Sequence, residues 1–215
     1  MGSSAATASC ESPRADVTVS IDAGEPIYDR SLSSGELSKL LKPANSHTEL
    51  ARYDVTLGRT MPMITFTTWS DNKGYMIPEG WCVFIAQLQV IIGWTTRVNI
   101  ASEIDQGSCL WMHVVAHEQR HVALDRQLFE KLQQITEQAV RAELSGVIDA
   151  DLDFNADSAE KQLTEDAEFM IANAIADFMK VRDEEQAVID TAEEYDRLTR
   201  ACGPAAIRDL LSKSN

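Results

Sequence analysis

Two histidines and a glutamate in the middle of the chain, His117, Glu118 and His121, form an H-E-x-x-H pattern. On an α-helix, residues four apart lie on one face, one turn apart, so the two imidazoles can bind a single Zn²⁺ ion. Glu118 can then reach a metal-bound water as a general base. The pattern therefore predicts His117 and His121 as metal ligands, Glu118 as the catalytic residue, and no residue that binds another cofactor.

The motif lies in a run from about Leu110 to Leu144 that has no proline or glycine and has the period of a helix. Burying two imidazoles and Glu118 without a metal would be costly. We therefore favour a zinc site over histidines that are merely solvated or satisfied on a polar helix. The motif histidines share one stripe with apolar residues, as follows: Val114, His117, His121, Leu124, Leu128, Leu132 and Ile135.

Two further polar residues lie one turn from the motif on the same face of this helix. His113 precedes His117, and Asp125 follows His121. On a straight helix, neither can join both motif histidines on one ion. We expect His113 to support a ligand or line the cleft, and Asp125 to support a ligand.

A catalytic zinc ion needs a third protein ligand and one open position. No glycine turn follows the motif, so we expect this ligand from elsewhere in the chain. A second long helix, predicted from about Ser158 and packed antiparallel to the first, would place Glu185 opposite the motif. For Glu185 the alternative is a buried carboxylate paired with a basic side chain. In order of preference, the candidates are Glu185, Asp190, Glu194 and Asp196.

A second candidate metal site is the acidic segment from Asp149 to Glu160. Its acidic residues occupy positions 1, 3, 5, 9 and 12, as in a calcium loop of the EF-hand type. Phe154 stands where such a loop needs a glycine with positive φ. We favour an acidic linker with a helix cap at Asp157, and calcium binding remains the alternative.

The segments before the motif are rich in β-branched and aromatic residues, which favours strands. Turn residues at 70–74 and at Gly93 divide them, and the short links favour antiparallel pairing. A short helix capped by Ser33 or Ser34 is predicted between the first two strands. The predicted strands cover residues 17–21, 53–57, 63–69, 81–92 and 95–101. We predict an α+β fold: a small antiparallel sheet followed by two long antiparallel helices, the first of which is the active-site helix.

We predict one α+β domain over residues 17–203, strand-rich over 17–102 and helical over 108–203. Residues 1–16 are small and polar and are predicted to be a disordered N-terminal segment. Residues 204–215 are predicted to be a C-terminal tail, because Gly203-Pro204 can end the last helix. A break of the second long helix is expected near Asp190, where Thr191 to Glu193 can form a new cap.

The formal net charge of the chain is −15 at pH 7. A surface of this sign repels phosphate backbones, which argues against a nucleic-acid partner. No apolar run reaches the length of a membrane-spanning helix. No signal peptide is recognisable at the start of the sequence.

The four cysteines are widely spaced, and no two form a C-x-x-C pair. Their even number is compatible with two disulfides and so with an exported protein. Our hypothesis pairs Cys82 with Cys109, and Cys10 with Cys202. The alternative is four buried, reduced thiols in a cytosolic protein.

The H-E-Q-R-H sequence resembles the motif of the zincin superfamily of zinc metallopeptidases. A narrower resemblance rests on residues 99–103, Gly107-Ser108-Cys109, the motif helix, residues 189–195 and the last cysteine. Together they resemble a group of secreted bacterial zinc proteases of unknown substrate, over roughly residues 80–202. This resemblance implies zinc binding by His117 and His121, catalysis by Glu118, and a periplasmic or secreted location.

The sequence thus favours a zinc-dependent metallopeptidase that hydrolyses peptide bonds in a peptide or protein substrate. Residues 95–101 would pair with the extended substrate, as the strand before the motif helix does in zincins. The alternative is a non-catalytic helical-hairpin binding module of the cell envelope, stabilised by zinc or free of metal. A weaker third hypothesis is a calcium-regulated interaction through residues 149–160.

Overall fold

The computed structural model describes residues 14–40, 56–77, 80–144 and 156–213. They form a mixed fold of helices and strands, as predicted, although several boundaries differ. The order is β1 (Asp16–Ala23), β2 (Ile27–Asp29), α1 (Ser34–Leu40), β3 (Gly58–Ile77), β4 (Gly80–Ile100), α2 (Cys109–Leu144), α3 (Ala156–Ala187), α4 (Ala192–Ala201) and α5 (Gly203–Lys213). Of the candidate calcium segment, only residues 156–160 are described, and they belong to α3; the rest of that hypothesis lies outside the described residues.

Strand β4 is the common partner of the other strands. The order is β1-β4-β2, and β3 also pairs with β4. Strand β2 runs parallel to β4, with Ile27 opposite Arg97 and Asp29 opposite Asn99. The predicted antiparallel sheet is therefore wrong. The prediction assumed pairing through short links, whereas β2 and β4 are joined by a long connection, which a parallel pair requires.

Strands β3 and β4 are longer than predicted. Residues 70–74, predicted as a turn, lie inside β3, and Gly93, predicted as a break, lies inside β4. The ring of Tyr75 packs edge-on against that of Phe84 on the neighbouring strand, with the ring centroids 6.5 Å apart. Such cross-strand contacts stabilise a sheet through residues whose local preference is for a turn. The predicted strand at 53–57 lies mostly outside the described residues.

The Cα positions cluster in two compact units, whereas the sequence predicts one domain over residues 17–203. The first unit comprises residues up to 22, 65–92 and 130–179. Its core comes from β1, β4 and the long helices, and the largest fully buried side chains are Val17, Val19, Leu88, Val90, Ile92, Leu132, Ile171 and Phe178. On α3 the buried residues recur every three or four positions, the spacing of one helix face.

The second unit comprises residues 23–64, 93–129 and 180–215. It contains the H-E-x-x-H motif. Residues from α1, β4, α2 and α5 form its main apolar cluster: Leu37, Val98, Ile100, Ala101, Ile104, Leu110, Val114, Val122 and Leu210. Helix α1 begins with a reciprocal cap, in which the Ser33 amide donates to the Glu36 carboxylate and the Glu36 amide donates to the Ser33 hydroxyl.

The predicted break near Asp190 is confirmed, because α3 ends at Ala187 and α4 begins at Ala192. Thr191 caps α4, and its hydroxyl accepts a hydrogen bond from the Glu194 amide at 3.2 Å. The predicted C-terminal tail is instead α5, which starts at Gly203 with a φ of +77°. The helix forms there because it buries Leu210 in the apolar cluster. None of the described helices combines the length and apolarity needed to cross a membrane.

A disulfide joins Cys109, the first residue of α2, to Cys202, which follows α4. Cys82 is also disulfide-bonded, and no described cysteine is free. The predicted pairing of Cys82 with Cys109, and of Cys10 with Cys202, is therefore wrong. The pairing of the cysteines could not be deduced from their spacing in the sequence, because it depends on the end of α4 lying next to the start of α2 in the fold.

Candidate metal centre

Three possible metal-binding atoms converge in the second unit. Nε2 of His117 lies 3.2 Å from Nε2 of His121, and each nitrogen lies 3.1 Å from Oδ1 of Asp190. In a tetrahedral zinc site with bonds of about 2.0–2.1 Å, ligand atoms lie about 3.3 Å apart. The three atoms thus form a triangle close to one face of that tetrahedron, and the residues fit a Zn²⁺ ion.

The two histidines reach this point because they are four residues apart on the buried face of α2, where their exposed fractions are 4% and 6%. Asp190 comes from the short turn between α3 and α4 instead of from a helix face. The amide of Ile189 donates to the carbonyl of Gln186 at 3.0 Å and so extends the end of α3 into this turn. The cap at Thr191 then starts α4, so both sides of Asp190 are fixed.

Glu185, the favoured third ligand from the sequence, does not join this group. It is exposed on α3, whereas the next residue, Gln186, is buried. The preference for Glu185 is therefore corrected in favour of Asp190, the second candidate. Glu194 contacts the other ring nitrogen of His117. Asp196 is exposed and forms an ion pair with Arg200 at 2.9 Å.

Glu118 is buried beside His117 and His121, with only 3% of its surface exposed. Burial raises its pKa, and the hydrogen bond from Thr60 counteracts this only in part. The Thr60 hydroxyl donates to Oε2 of Glu118 at 2.7 Å. Gly58 also lies against this carboxyl group: a Cβ atom there would lie 2.9 Å from Cδ of Glu118 and 2.8 Å from Cγ1 of Val114. The start of β3 can therefore approach Glu118 closely only because residue 58 has no side chain.

A chain of buried hydrogen bonds fixes the ring of His121. Its Nδ1 contacts Oε1 of Gln186, and the Gln186 amide group donates to Oδ1 of Asp125 at 2.6 Å and to the His121 carbonyl at 3.2 Å. Arg182 donates twice to the Asp125 carboxylate, at 2.7 Å and 3.1 Å. Asp125 is therefore connected to the ring of His121 through Gln186, and its expected support of a ligand stays a prediction. An Nδ1–H that donates to Gln186 leaves Nε2 free to bind a metal.

Glu194 supports the ring of His117 from the opposite side. Its Oε1 lies 3.3 Å from Nδ1 of His117, and both Arg120 and Arg197 donate to its carboxylate. Hydrogen bonds from Arg197, followed by those from His117 and Arg120, outweigh desolvation and lower the pKa of Glu194 to about 2. A guanidinium nitrogen of Arg120 also lies 2.9 Å from Nδ1 of His117, so Glu194 and Arg120 together fix the orientation of the ring, whose Nε2 faces Asp190.

Charges within the triangle also shift the pKa values of its members. Burial by itself would lower the pKa of His121, but the hydrogen bond and charge of Asp190 outweigh it, and the net shift is upward. For Asp190, burial would raise the pKa, but the hydrogen bonds from His117 and His121 outweigh it and hold the pKa well below its usual range. Asp190 is therefore a carboxylate anion at neutral pH, which is the form that binds a metal.

Two other stretches that the sequence analysis singled out have clear positions in the structure. His113 lies next to the Cys109–Cys202 disulfide and, as expected, is not part of the triangle. Residues 95–101, which the sequence predicts to pair with a substrate strand, already have partners within the protein. Strand β2 pairs along residues 97–99, and the Ala101 amide donates to the Leu57 carbonyl at 2.9 Å. The expectation rested on the likeness to zincins, and the position of β4 as the common partner of the other strands argues against it.

Comparison of the chain with protein-family models, curated proteins and solved structures finds no match. Function is therefore inferred from the geometry and chemistry of the site itself.

Proposed function

We propose that the chain is a zinc-dependent metallopeptidase in which His117, His121 and Asp190 bind the ion and Glu118 is the general base. The observation that carries the proposal is the triangle of two imidazole nitrogens and one carboxylate oxygen beside a buried glutamate. A zinc ion bound there would polarise a peptide carbonyl group and lower the pKa of water. The resemblance of H-E-Q-R-H to the zincin motif agrees with this role.

Glu118 would take a proton from the attacking water and pass it to the leaving amine. The hydrogen bond from Thr60 occupies one of its carboxylate oxygens, and the second oxygen is then the acceptor for that proton. Contact with Gly58 restricts the rotation of the carboxyl group. Such restriction matters because a general base must be within hydrogen-bonding distance of the proton it abstracts.

Among the described residues, the triangle contains three metal ligands and no fourth. Glu194 contacts Nδ1 of His117, on the side of the ring away from the triangle, so it cannot bind the same ion. Three protein ligands and an open position are typical of catalytic zinc, whereas structural zinc usually has four protein ligands. This difference favours a peptidase over a zinc-stabilised binding module.

We propose further that the protein acts outside the cytoplasm, in the periplasm or the medium, on a peptide or protein substrate. The disulfide between Cys109 and Cys202 supports this location, because such bonds persist in oxidising compartments.

Metal analysis and a cleavage assay on four proteins test the proposal: wild type, Glu118→Gln, Asp190→Ala and Glu185→Ala. We expect one zinc per chain in the wild type and in Glu118→Gln, with peptide cleavage lost in Glu118→Gln because an amide cannot accept the proton. Asp190→Ala should lose zinc, and Glu185→Ala, the matched control on α3, should keep both zinc and activity.

Each alternative result has a defined meaning. Undiminished cleavage by pure Glu118→Gln would refute the role of that residue. Stoichiometric zinc in a wild-type protein that cleaves no member of a peptide library would favour the non-catalytic binding module. A wild-type protein that takes up no zinc would refute the peptidase and would leave only the metal-free form of the binding module.

A further inference from the structure

A second group of metal-binding side chains lies at the start of α2. Cys109 and His113 are four residues apart on this helix, and Cys202 reaches them from the end of α4. The two sulfur atoms and a ring nitrogen of His113 all lie within 4.8 Å of one another. Two cysteines and a histidine are a donor set that thiophilic cations such as Zn²⁺ prefer.

We propose that reduction of the Cys109–Cys202 disulfide converts this group into a second metal site, with Cys109, Cys202 and His113 as ligands for Zn²⁺. In a tetrahedral zinc site with Zn–S bonds of about 2.3 Å, two sulfur atoms lie about 3.8 Å apart. The candidate ligand atoms of Cys109, His113 and Cys202 already lie within 4.8 Å of one another, so this sulfur–sulfur distance can be accommodated. The new site needs only side-chain rotation once the two sulfur atoms are released from their bond.

Contacts other than the disulfide hold the two cysteines near each other. Cys202 packs against the apolar cluster of the second unit, which includes Leu110 on α2 and Leu210 on α5. Cys109 is exposed, so a reductant in solution can reach its sulfur atom. The group shares no ligand with the triangle of His117, His121 and Asp190, and the proposal does not depend on peptidase activity.

The chemical change is a two-electron reduction followed by metal binding. A dithiol reductant supplies two electrons and two protons: the Sγ–Sγ bond breaks, Cys109 and Cys202 become thiols, and the dithiol becomes a cyclic disulfide. Binding of the cation then displaces both thiol protons to the solvent, because the thiolate is the form that binds a metal.

Cobalt(II) absorption under anaerobic conditions distinguishes this site from the first. Thiolate ligands give an intense sulfur-to-cobalt charge-transfer band in the near ultraviolet, which the nitrogen and oxygen ligands of the triangle cannot give. We expect the band in the reduced wild type, complete by two equivalents because the triangle also binds cobalt, and not in the oxidised wild type. The double variant Cys109→Ser/Cys202→Ser should lack the band after reduction, although its other two cysteines are intact.

His113→Ala should form the disulfide normally but weaken cobalt binding in the reduced state at least tenfold, as judged by titration of the band. His47→Ala is the matched control, because it also removes one histidine, and we expect wild-type binding. Absence of the band in fully reduced wild type would overturn the proposal, as would equal bands in the wild type and the double variant. Loss of helical circular dichroism on reduction would also overturn it, because the site requires α2 and α4 in place.

Discussion

The pair formed by Arg182 and Asp125 allows a sharp test of how the site is held. Their exposed fractions are 5% and 0%, and two hydrogen bonds of 2.7 Å and 3.1 Å join them. Arg182→Met would leave the Asp125 carboxylate buried, with Gln186 as its remaining donor among the bonds described above. Breaking one partner of a buried ion pair costs about 3–5 kcal/mol. We expect a loss of this size in the free energy of unfolding of the metal-free protein.

The double variant Arg182→Met/Asp125→Leu separates stability from metal binding. Replacing a buried pair by apolar residues of similar size is often neutral or stabilising, by about 1–4 kcal/mol. We therefore expect most of the lost stability to return. Zinc affinity should not return, because the Gln186 amide group no longer has a carboxylate to hold it against the ring of His121. Loss of such a supporting partner typically weakens metal binding about 10- to 100-fold.

Urea unfolding measures the change in unfolding free energy, and it is done in the presence of a chelator because bound zinc would add its own binding free energy to stability. Competition with a chromophoric chelator measures the change in zinc affinity. Two results would refute the reasoning. The first is a cost below about 1 kcal/mol for Arg182→Met, which is the range of exposed ion pairs. The second is a double variant that binds zinc as tightly as the wild type, which would show that the network does not orient His121.

Three further variants or conditions test other parts of the site. Gly58→Ala should reduce cleavage at least tenfold with zinc content unchanged, because the added Cβ displaces the Glu118 carboxyl group. Gly35→Ala is the control and should have no effect, because the space around Gly35 is open. Equal activities of the two variants would contradict this prediction. Glu194→Gln should weaken zinc binding by about 10- to 100-fold, measured by chelator competition, because the first motif histidine loses its anionic partner. Free zinc at 100 times its dissociation constant should raise the unfolding free energy of wild type by about 2.7 kcal/mol and that of Asp190→Ala by much less, as measured by urea unfolding; an equal rise in both would show that Asp190 is not a ligand.

The motif half of the site was predictable from the sequence, because helical periodicity alone places residues 117 and 121 on one buried face. The third candidate ligand, Asp190, was not predicted as the first choice, because the buried face of α3 was assigned from apolar residues alone. The helical period places Glu185 on one face with the apolar residues Val181 and Val188, and hydrophobicity alone predicts that this face is buried. In the structure, Val188 is 73% exposed, and the face continues from Phe178 to Arg182 and Gln186. These two polar residues are buried because they hydrogen-bond to Asp125, a pairing that hydrophobic patterns cannot reveal.

The fold was predicted in its elements but not in its pairing. Helical periodicity in a long run without proline or glycine predicted α2, and the capping residues at 191–193 predicted the break before α4. Both signals are local in the sequence. The parallel partner of β4 and the disulfide are non-local. They depend on contacts between residues 27 and 97 and between residues 109 and 202, which no local pattern encodes. Gly58 also gave no signal of its role, because its importance comes from its closeness to Glu118 and not from its own backbone conformation.

The Cys109–Cys202 disulfide connects the two parts of the sequence that build the metal centre. All three proposed ligands lie between these cysteines, which are 93 residues apart. In the chain-entropy model, closing a loop of this length stabilises a protein by about 4–5 kcal/mol, because it restricts the unfolded chain. Reduction would therefore lower the free energy of unfolding of the protein. A cation bound by Cys109, Cys202 and His113 would again link the start of α2 to the end of α4, and it would restore part of the stability lost on reduction.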